Sequence, residues 1–197
     1  MNYIMKNLNI PNVLTLIRIL LIPVYIVLFA KGMKYPALIV FVTACVTDLF
    51  DGLLARKLNQ ITDLGKLMDP VADKVMVLTA MFSMAIGNAF IAPVIPWSAV
   101  VILLCKEGCM MLGGFLLLRR KNIVVYSYMI GKVAHCLFIG ALVLTFFHDW
   151  FLQHCVGWFM TPDLMLLWVA VACTLCALGF YAFDSIRKIR AKDAESK

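Results

Sequence analysis

Residues 75–105 contain no Asp, Glu, Lys or Arg, and residues 164–183 form a second uncharged stretch. At about 1.5 Å rise per residue, some 20 apolar residues cross the roughly 30 Å hydrocarbon of a bilayer as a helix. Lipid offers no hydrogen bonds to an open backbone, so such stretches must be helical or part of a closed barrel. Hydrophobic residues make up 63% of the chain and charged ones 15%, with a mean hydropathy of +0.94, which excludes the ordinary soluble classes. The expectation is an all-α integral membrane protein of six transmembrane helices, one domain over residues 1–197. Spans are predicted at 13–30, 35–55, from the polar connection after Lys57 to Ile86, from the turn at Pro93 and Pro96 to Arg119, at 124–147 and at 162–183. Residues 1–10 are expected to be a short interfacial segment, and 185–197 a charged, solvated tail. The first span has no small-x-small cleavage site and is followed by further spans, so it is read as a membrane helix rather than a cleavable signal.

The net charge of +7 is distributed unevenly. Lys6 lies before the first span, Arg56 and Lys57 between the second and third, and Arg119, Arg120 and Lys121 between the fourth and fifth. Arg187, Lys188, Arg190 and Lys192 follow the sixth. The other connections carry Lys31 and Lys34, then Asn88 without charge, then His148, Asp149 and Asp163. By the positive-inside bias both termini are expected in the cytoplasm. The basic residues form no interleaved patch of the kind nucleic acid requires. Trp150 and Trp158 suit interfacial anchors. Six of the cysteines (Cys45, Cys105, Cys109, Cys136, Cys173, Cys176) lie within spans, where zinc or disulfide roles are not expected, and Cys173 and Cys176 read as small buried hydrophobes.

Against this apolar background stand four carboxylates, Asp48, Asp51, Asp69 and Asp73, at the ends of the second and third spans. On helices, Asp48 and Asp51 are i,i+3 and Asp69 and Asp73 are i,i+4, so each pair shares a face. Two helices meeting there would bring four hard oxygen donors together, the ligand type that Mg2+ takes when it bridges to phosphates. Gly52 and Gly65, lacking a Cβ, let a bulky ligand approach the helix backbone. Arg56 offers a planar fork for phosphate oxygens. These residue types together point to a divalent-metal and polyphosphate site at a membrane surface. Pairing with Arg56, Lys66 and Lys74 as ordinary interfacial charges would explain one aspartate more readily than four.

The string Asp48-x2-Asp51-Gly52-x2-Ala55-Arg56-x8-Gly65-x3-Asp69-x3-Asp73 resembles the motif of the CDP-alcohol phosphotransferase family at every position. The resemblance implies a six-helix membrane fold, a homodimer, and an active site at the cytoplasmic membrane face. It also implies transfer of a phospho-alcohol group from a CDP-linked donor to an acceptor hydroxyl, with release of CMP. By that resemblance Asp48, Asp51 and Asp69 ligate two divalent ions, Mg2+ or Mn2+. Asp73 completes the cage and acts as the base on the acceptor, and Asp48, Asp51, Gly52, Arg56, Gly65 and Asp69 form the CDP-donor pocket.

Within the family, Asn9-Ile-Pro-Asn-x-Leu-Thr-x2-Arg18 and Gly65-Lys-Leu-Met-Asp-Pro-Val-Ala-Asp-Lys74 resemble the bacterial members that act on CDP-diacylglycerol and glycerol 3-phosphate. In those members the fourth span carries Arg-Glu and a second arginine eight residues after the first. Here Lys106-Glu107 and Gly114 occupy these places. Gly114 and the run to Lys121 resemble the members that make cardiolipin from phosphatidylglycerol. Arg18, Lys66, Lys106 and Lys132 are the candidate acceptor-binding cations, and they place glycerol 3-phosphate narrowly ahead of phosphatidylglycerol. Lys106 and Glu107, adjacent on a helix, are expected to have separate partners. His135 reads as a packed histidine rather than a catalytic one. The competing class is a small cation or proton transporter. Such a path would spread ionisable groups through the membrane, whereas these carboxylates gather at one face.

Overall fold

The computed structural model describes residues 10–58, 63–121, 129–155 and 159–195, with side chains over 13–48, 72–113, 130–155 and 159–187. Seven helices are present among the described residues, and no strand. They are α1 (Ile10–Ala30), α2 (Lys34–Leu58), α3 (Asp63–Ile86), α4 (Trp97–Lys121), α5 (Met129–Thr145), α6 (His148–His154) and α7 (Pro162–Glu195). Residues 13–30 of α1 and 162–187 of α7 are long and apolar enough to cross a membrane by length and composition. The predicted N-terminal interfacial segment lies outside the described residues, apart from Ile10 at the start of α1. The helices group into two compact units, residues 1–94 and 95–197.

In the first unit α1 packs against both α2 and α3. The contacts follow helical spacing: Tyr25 and Phe29 on α1, Ala37, Phe41 and Ala44 on α2, and Ala72, Met76, Ala80 and Met84 on α3 are all buried. The alanines let the backbones approach closely, which matters in lipid because packing rather than water exclusion joins the helices. The Tyr25 ring stacks on Phe29 with centroids 5.9 Å apart and tilts against Phe41 at 6.4 Å. On the other side of α1, Leu16, Ile17, Leu20, Val24 and Val27 are exposed, as residues that face hydrocarbon should be. Helix hydroxyls are satisfied locally: Thr43 donates to the Ile39 carbonyl, Thr47 to Ala44 and Thr79 to Val75.

Two turns lock the far end of this unit. Gly32, between α1 and α2, has φ +75°, and a Cβ there would lie 2.7 Å from the Phe90 Cβ. Gly87 ends α3 with φ +67°, and its Cβ would meet the Ile91 carbonyl oxygen at 2.6 Å. Both positions therefore need glycine. Asn88 ties the turns together. Its Nδ2 donates to the Phe29 carbonyl at 2.5 Å, and its Oδ1 accepts from the Phe90 and Ile91 amides at 2.8 and 2.7 Å.

The second unit is built on α7, which packs against α4, α5 and α6. Its buried face runs Leu167, Ala170, Val171, Thr174, Ala177 and Tyr181, opposite Ala134, Phe138, Ala141 and Leu142. Three features depart from the sequence expectation. The fifth apolar run does not continue to Phe147. The chain breaks after Thr145 through i,i+3 bonds from Phe146 and Phe147 to Val143 and Leu144, and α6 leaves at 70° to α5. His148 at that break pairs with Asp163 on α7, Nδ1 to Oδ2 at 2.8 Å, and Asp163 is fully buried. Residues 185–195, expected as a tail, extend α7 without interruption, since Ser185–Glu195 has no Gly or Pro to stop the helix. At 34 residues α7 is about 51 Å long, so its basic end reaches well beyond the hydrocarbon.

Asn88→Ala removes three hydrogen bonds from the turn. It is expected to lower stability by on the order of 2 kcal/mol, read as a reduced thermal unfolding midpoint in detergent. A midpoint equal to that of the wild type would mean that the turn is held without Asn88.

Candidate active site

The motif falls where two helices end and begin. Asp48, Asp51, Gly52 and Arg56 lie on the last turns of α2, and Gly65, Lys66, Asp69 and Asp73 on the first turns of α3. The helices are continuous there, so the spacings 48/51 and 69/73 are true helical spacings and each pair of positions shares a face. Both helices pack against α1 and against each other. The side chains of Asp51, Arg56, Lys66 and Asp69 lie outside the described residues, as do the surroundings of Gly52 and Gly65.

Among the described side chains, Arg18 pairs with Asp48, and Cys45 feels the charges of both and of Asp73. Arg18 Nη1 lies 2.9 Å from Asp48 Oδ1; Arg18 is 1% exposed and Asp48 36%. Cys45, one turn before Asp48 on α2, is within electrostatic reach of Asp48, Asp73 and Arg18. Asp48 of α2 and Asp73 of α3 thus both act on Cys45, without forming a cluster with it. Sequence reasoning assigned Arg18 to the acceptor without seeing its carboxylate partner. The available signal was that Arg18 is the only charge within the first span. A guanidinium at that depth is too costly to leave unpaired. Its Nη1 is in ion-pair contact with Asp48, which holds one candidate ligand against the central helix of the unit.

Of the other candidate cations, Lys66 has no described side chain, while Lys106 and Lys132 belong to the second unit. Lys106 pairs with its neighbour Glu107 on α4, their side chains 15% and 32% exposed. This corrects the expectation of separate partners. In apolar surroundings mutual neutralisation outweighs the poor i,i+1 geometry. Lys132 is exposed on α5. Beside it, Gly131 admits the Tyr181 hydroxyl of α7, which lies 3.0 Å from where a Cβ would sit.

The donor set suits a divalent cation by its chemistry. Carboxylate oxygens are what Mg2+ and Mn2+ take, and Asp48 and Asp73 are both partly accessible. Among the described residues no three His, Cys, Asp or Glu side chains form a cluster. Asp51 and Asp69, which would complete one, are outside that set.

A helical membrane protein with a carboxylate site where two apolar helices meet defines the class. Residues 8–176 match the CDP-alcohol phosphatidyltransferase family, and the chain belongs to that family. It is 49% identical over 76 residues to the CDP-diacylglycerol–glycerol-3-phosphate 3-phosphatidyltransferase of Escherichia coli, covering 37% of this chain and 42% of that protein. It is 46% identical over 77 residues to the protein of that name from Wigglesworthia glossinidia brevipalpis, covering 38% and 42%. A probable phosphatidylglycerophosphate synthase of Mycobacterium tuberculosis is 37% identical over 106 residues, covering 50% and 48%. The matched stretch spans less than half the length of each relative. With the family established as one of transferases, the transporter reading is set aside.

Arg18→Ala would leave Asp48 without its guanidinium. Because Asp48 can reach solvent, the expected loss is on the order of 2 kcal/mol rather than the ~3–5 kcal/mol of a fully buried pair. Arg18→Lys should lose less. Thermal unfolding in detergent gives the order, and equal midpoints for all three proteins would show the pair to be energetically idle.

Proposed function

We propose that this protein transfers a phosphatidyl group from CDP-diacylglycerol to a hydroxyl of glycerol 3-phosphate, releasing CMP and forming phosphatidylglycerophosphate. The observation that carries this reading is the complete carboxylate motif on α2 and α3, joined to relatives named for this reaction. In the proposed reaction the Asp73 carboxylate takes the proton of the acceptor hydroxyl as its oxygen attacks the lipid-bearing phosphorus. A P–O bond to the acceptor forms, the pyrophosphate P–O bond breaks, and CMP leaves with the electron pair. Asp48, Asp51, Asp69 and Asp73 would hold two divalent ions, Mg2+ or Mn2+, which when bound neutralise charge on the reacting phosphates. Gly52, Arg56 and Gly65 shape the CDP pocket, with Arg18 positioning Asp48. Lys66, Lys106 and Lys132, together with Arg18, favour a doubly charged acceptor.

We place the whole chain, 1–197, as one membrane domain of six spans, acting as a homodimer in the bacterial cytoplasmic membrane. The match over 8–176, which runs through both compact units, supports one functional domain. The basic residues at the ends of α2, α4 and α7 favour both termini and the carboxylate site on the cytoplasmic side. A second reading rests on Gly114, where an arginine for the acceptor phosphate is absent. It makes phosphatidylglycerol the acceptor and cardiolipin the product.

Purified protein given CDP-diacylglycerol and Mg2+ should release CMP with glycerol 3-phosphate. Cardiolipin from phosphatidylglycerol, with no phosphatidylglycerophosphate, would reverse the assignment. EDTA should abolish turnover and Mn2+ or Mg2+ restore it, while Asp48→Ala, Asp51→Ala and Asp69→Ala should each be inactive; undiminished CMP release after chelation would remove the metal from the reaction. Asp73→Asn should still bind CDP-diacylglycerol but slow transfer by roughly 10²–10⁴-fold, the usual worth of a general base. A wild-type rate would move the base elsewhere.

A further inference from the structure

α6 is a seven-residue helix with no buried side chain, too short to be stable without outside support. It leaves α5 at 70°, so its length of about 10 Å adds only about 4 Å along the direction of α5. The 17 residues of α5 already cover about 26 Å of the roughly 30 Å of hydrocarbon. From the other side, the apolar stretch of α7 begins at Pro162. α6 and Phe159 therefore lie where two apolar helices reach the end of the hydrocarbon, and α6 runs nearly across α5.

The side chains there suit that boundary. Trp150 is 52% exposed; its ring stacks on His154 with centroids 4.3 Å apart and meets Phe151 edge-on at 5.4 Å. His154 Nδ1 donates to the Trp150 carbonyl at 2.9 Å, which holds the stack. Phe159 is fully exposed, and Trp158, also expected as an anchor, lies outside the described residues. An indole, with its apolar body and polar N–H, gains from a layer that is oily on one side and wet on the other. Asp149 and Gln153, one turn apart and both exposed, give α6 a polar side for water and headgroups. One turn into α7, Met165 and Val169 are exposed, so the hydrocarbon-facing surface resumes there.

His148 ties α6 to α7. Its Nδ1 lies 2.8 Å from Oδ2 of the fully buried Asp163, with Thr161 Oγ1 at 3.5 Å. Asp163 Oδ1 meets no partner among the described residues. A half-paired buried carboxylate costs stability relative to an apolar residue of similar size, so its use is better sought in fixing one geometry.

We propose that α6 and Phe159 rest in the headgroup–acyl boundary of the bilayer, with the His148–Asp163 pair as the strut that holds them there. Phospholipid fits this patch better than a second protein does. Trp150, Leu152 and Phe159 are few beside the roughly 20–30 residues a side of a stable protein interface. This contact is independent of the chemistry proposed for the carboxylates.

The test reads tryptophan fluorescence of the full chain in vesicles of phosphatidylethanolamine and phosphatidylglycerol. The lipids carry bromine either on the first few acyl carbons or at the acyl terminus. Subtracting Trp150→Phe from the wild type isolates Trp150, and subtracting the wild type from Phe159→Trp isolates position 159. At a depth of about 5–10 Å, both should be quenched roughly twofold by the shallow bromines, and much less by the terminal ones or by aqueous iodide. Strongest quenching by iodide would put the patch in water, and strongest quenching by terminal bromines would put it inside the span. No quenching by any of them would put it under protein; each of these outcomes overturns the lipid contact. His148→Ala, and His148→Phe, which keeps a ring without its donor, should each lose about half of the shallow quenching as α6 frays. Asp163→Asn, whose amide oxygen can still accept from His148, should keep it. Wild-type quenching in both His148 variants would overturn the strut.

Discussion

An ionisable group in hydrocarbon must find its partner within the protein, and the Arg18–Asp48 pair is where this requirement bears most heavily. Arg18 is 1% exposed on the helix that contacts both other helices of its unit. Its guanidinium cannot be neutralised by losing a proton, so the helices must bring a carboxylate to it. Meeting that demand sets the register of α1 against α2 and with it the position of Asp48. The same rule explains the Lys106–Glu107 pair on α4 and the buried His148–Asp163 pair that ties α6 to α7. It also explains the threonines that return their hydroxyls to carbonyls of their own helices. In each case the charge or hydroxyl meets a partner within the protein, because lipid offers none in exchange.

This frame places opposite chemistries at the two ends of the first unit. At one end are Arg18, Asp48 and Asp73, with the remaining motif residues on the same helix turns. At the other, glycine turns and Asn88 close the helix connections without bringing charge into the apolar part. Between them the α1–α3 face offers only hydrocarbon and satisfied hydroxyls.

The helices were legible in the sequence because hydropathy and punctuation act locally. The first span, read as 13–30, lies in a helix from Ile10 to Ala30, and α3 ends at Ile86, beside Gly87. Pro162 opens α7 as its fixed φ favours. The carboxylate spacing was legible for the same reason: i,i+3 and i,i+4 need only a helix, and α2 and α3 supply one. The break at Thr145 was not, since 136–147 carries no charge to mark it and its place is set by local turn bonds and by Asp163, fifteen residues beyond His148. Nor was the helical continuation to Glu195, where charge was mistaken for the end of the element.

The sequence by itself determined that this chain lives in lipid as helices, and that two helix ends carry a carboxylate motif of one family. Hydropathy, helical period and motif spacing are properties of neighbouring residues, and they survive without knowing how helices meet. Only the tertiary structure decided that Arg18 pairs with Asp48, that Cys45 feels the charges of both and of Asp73, that Lys106 pairs with Glu107, and that Asp163 is buried against His148. Those outcomes depend on the rotation and register of one helix against another. Close packing and the cost of unpaired charge in hydrocarbon select that register across the whole interface.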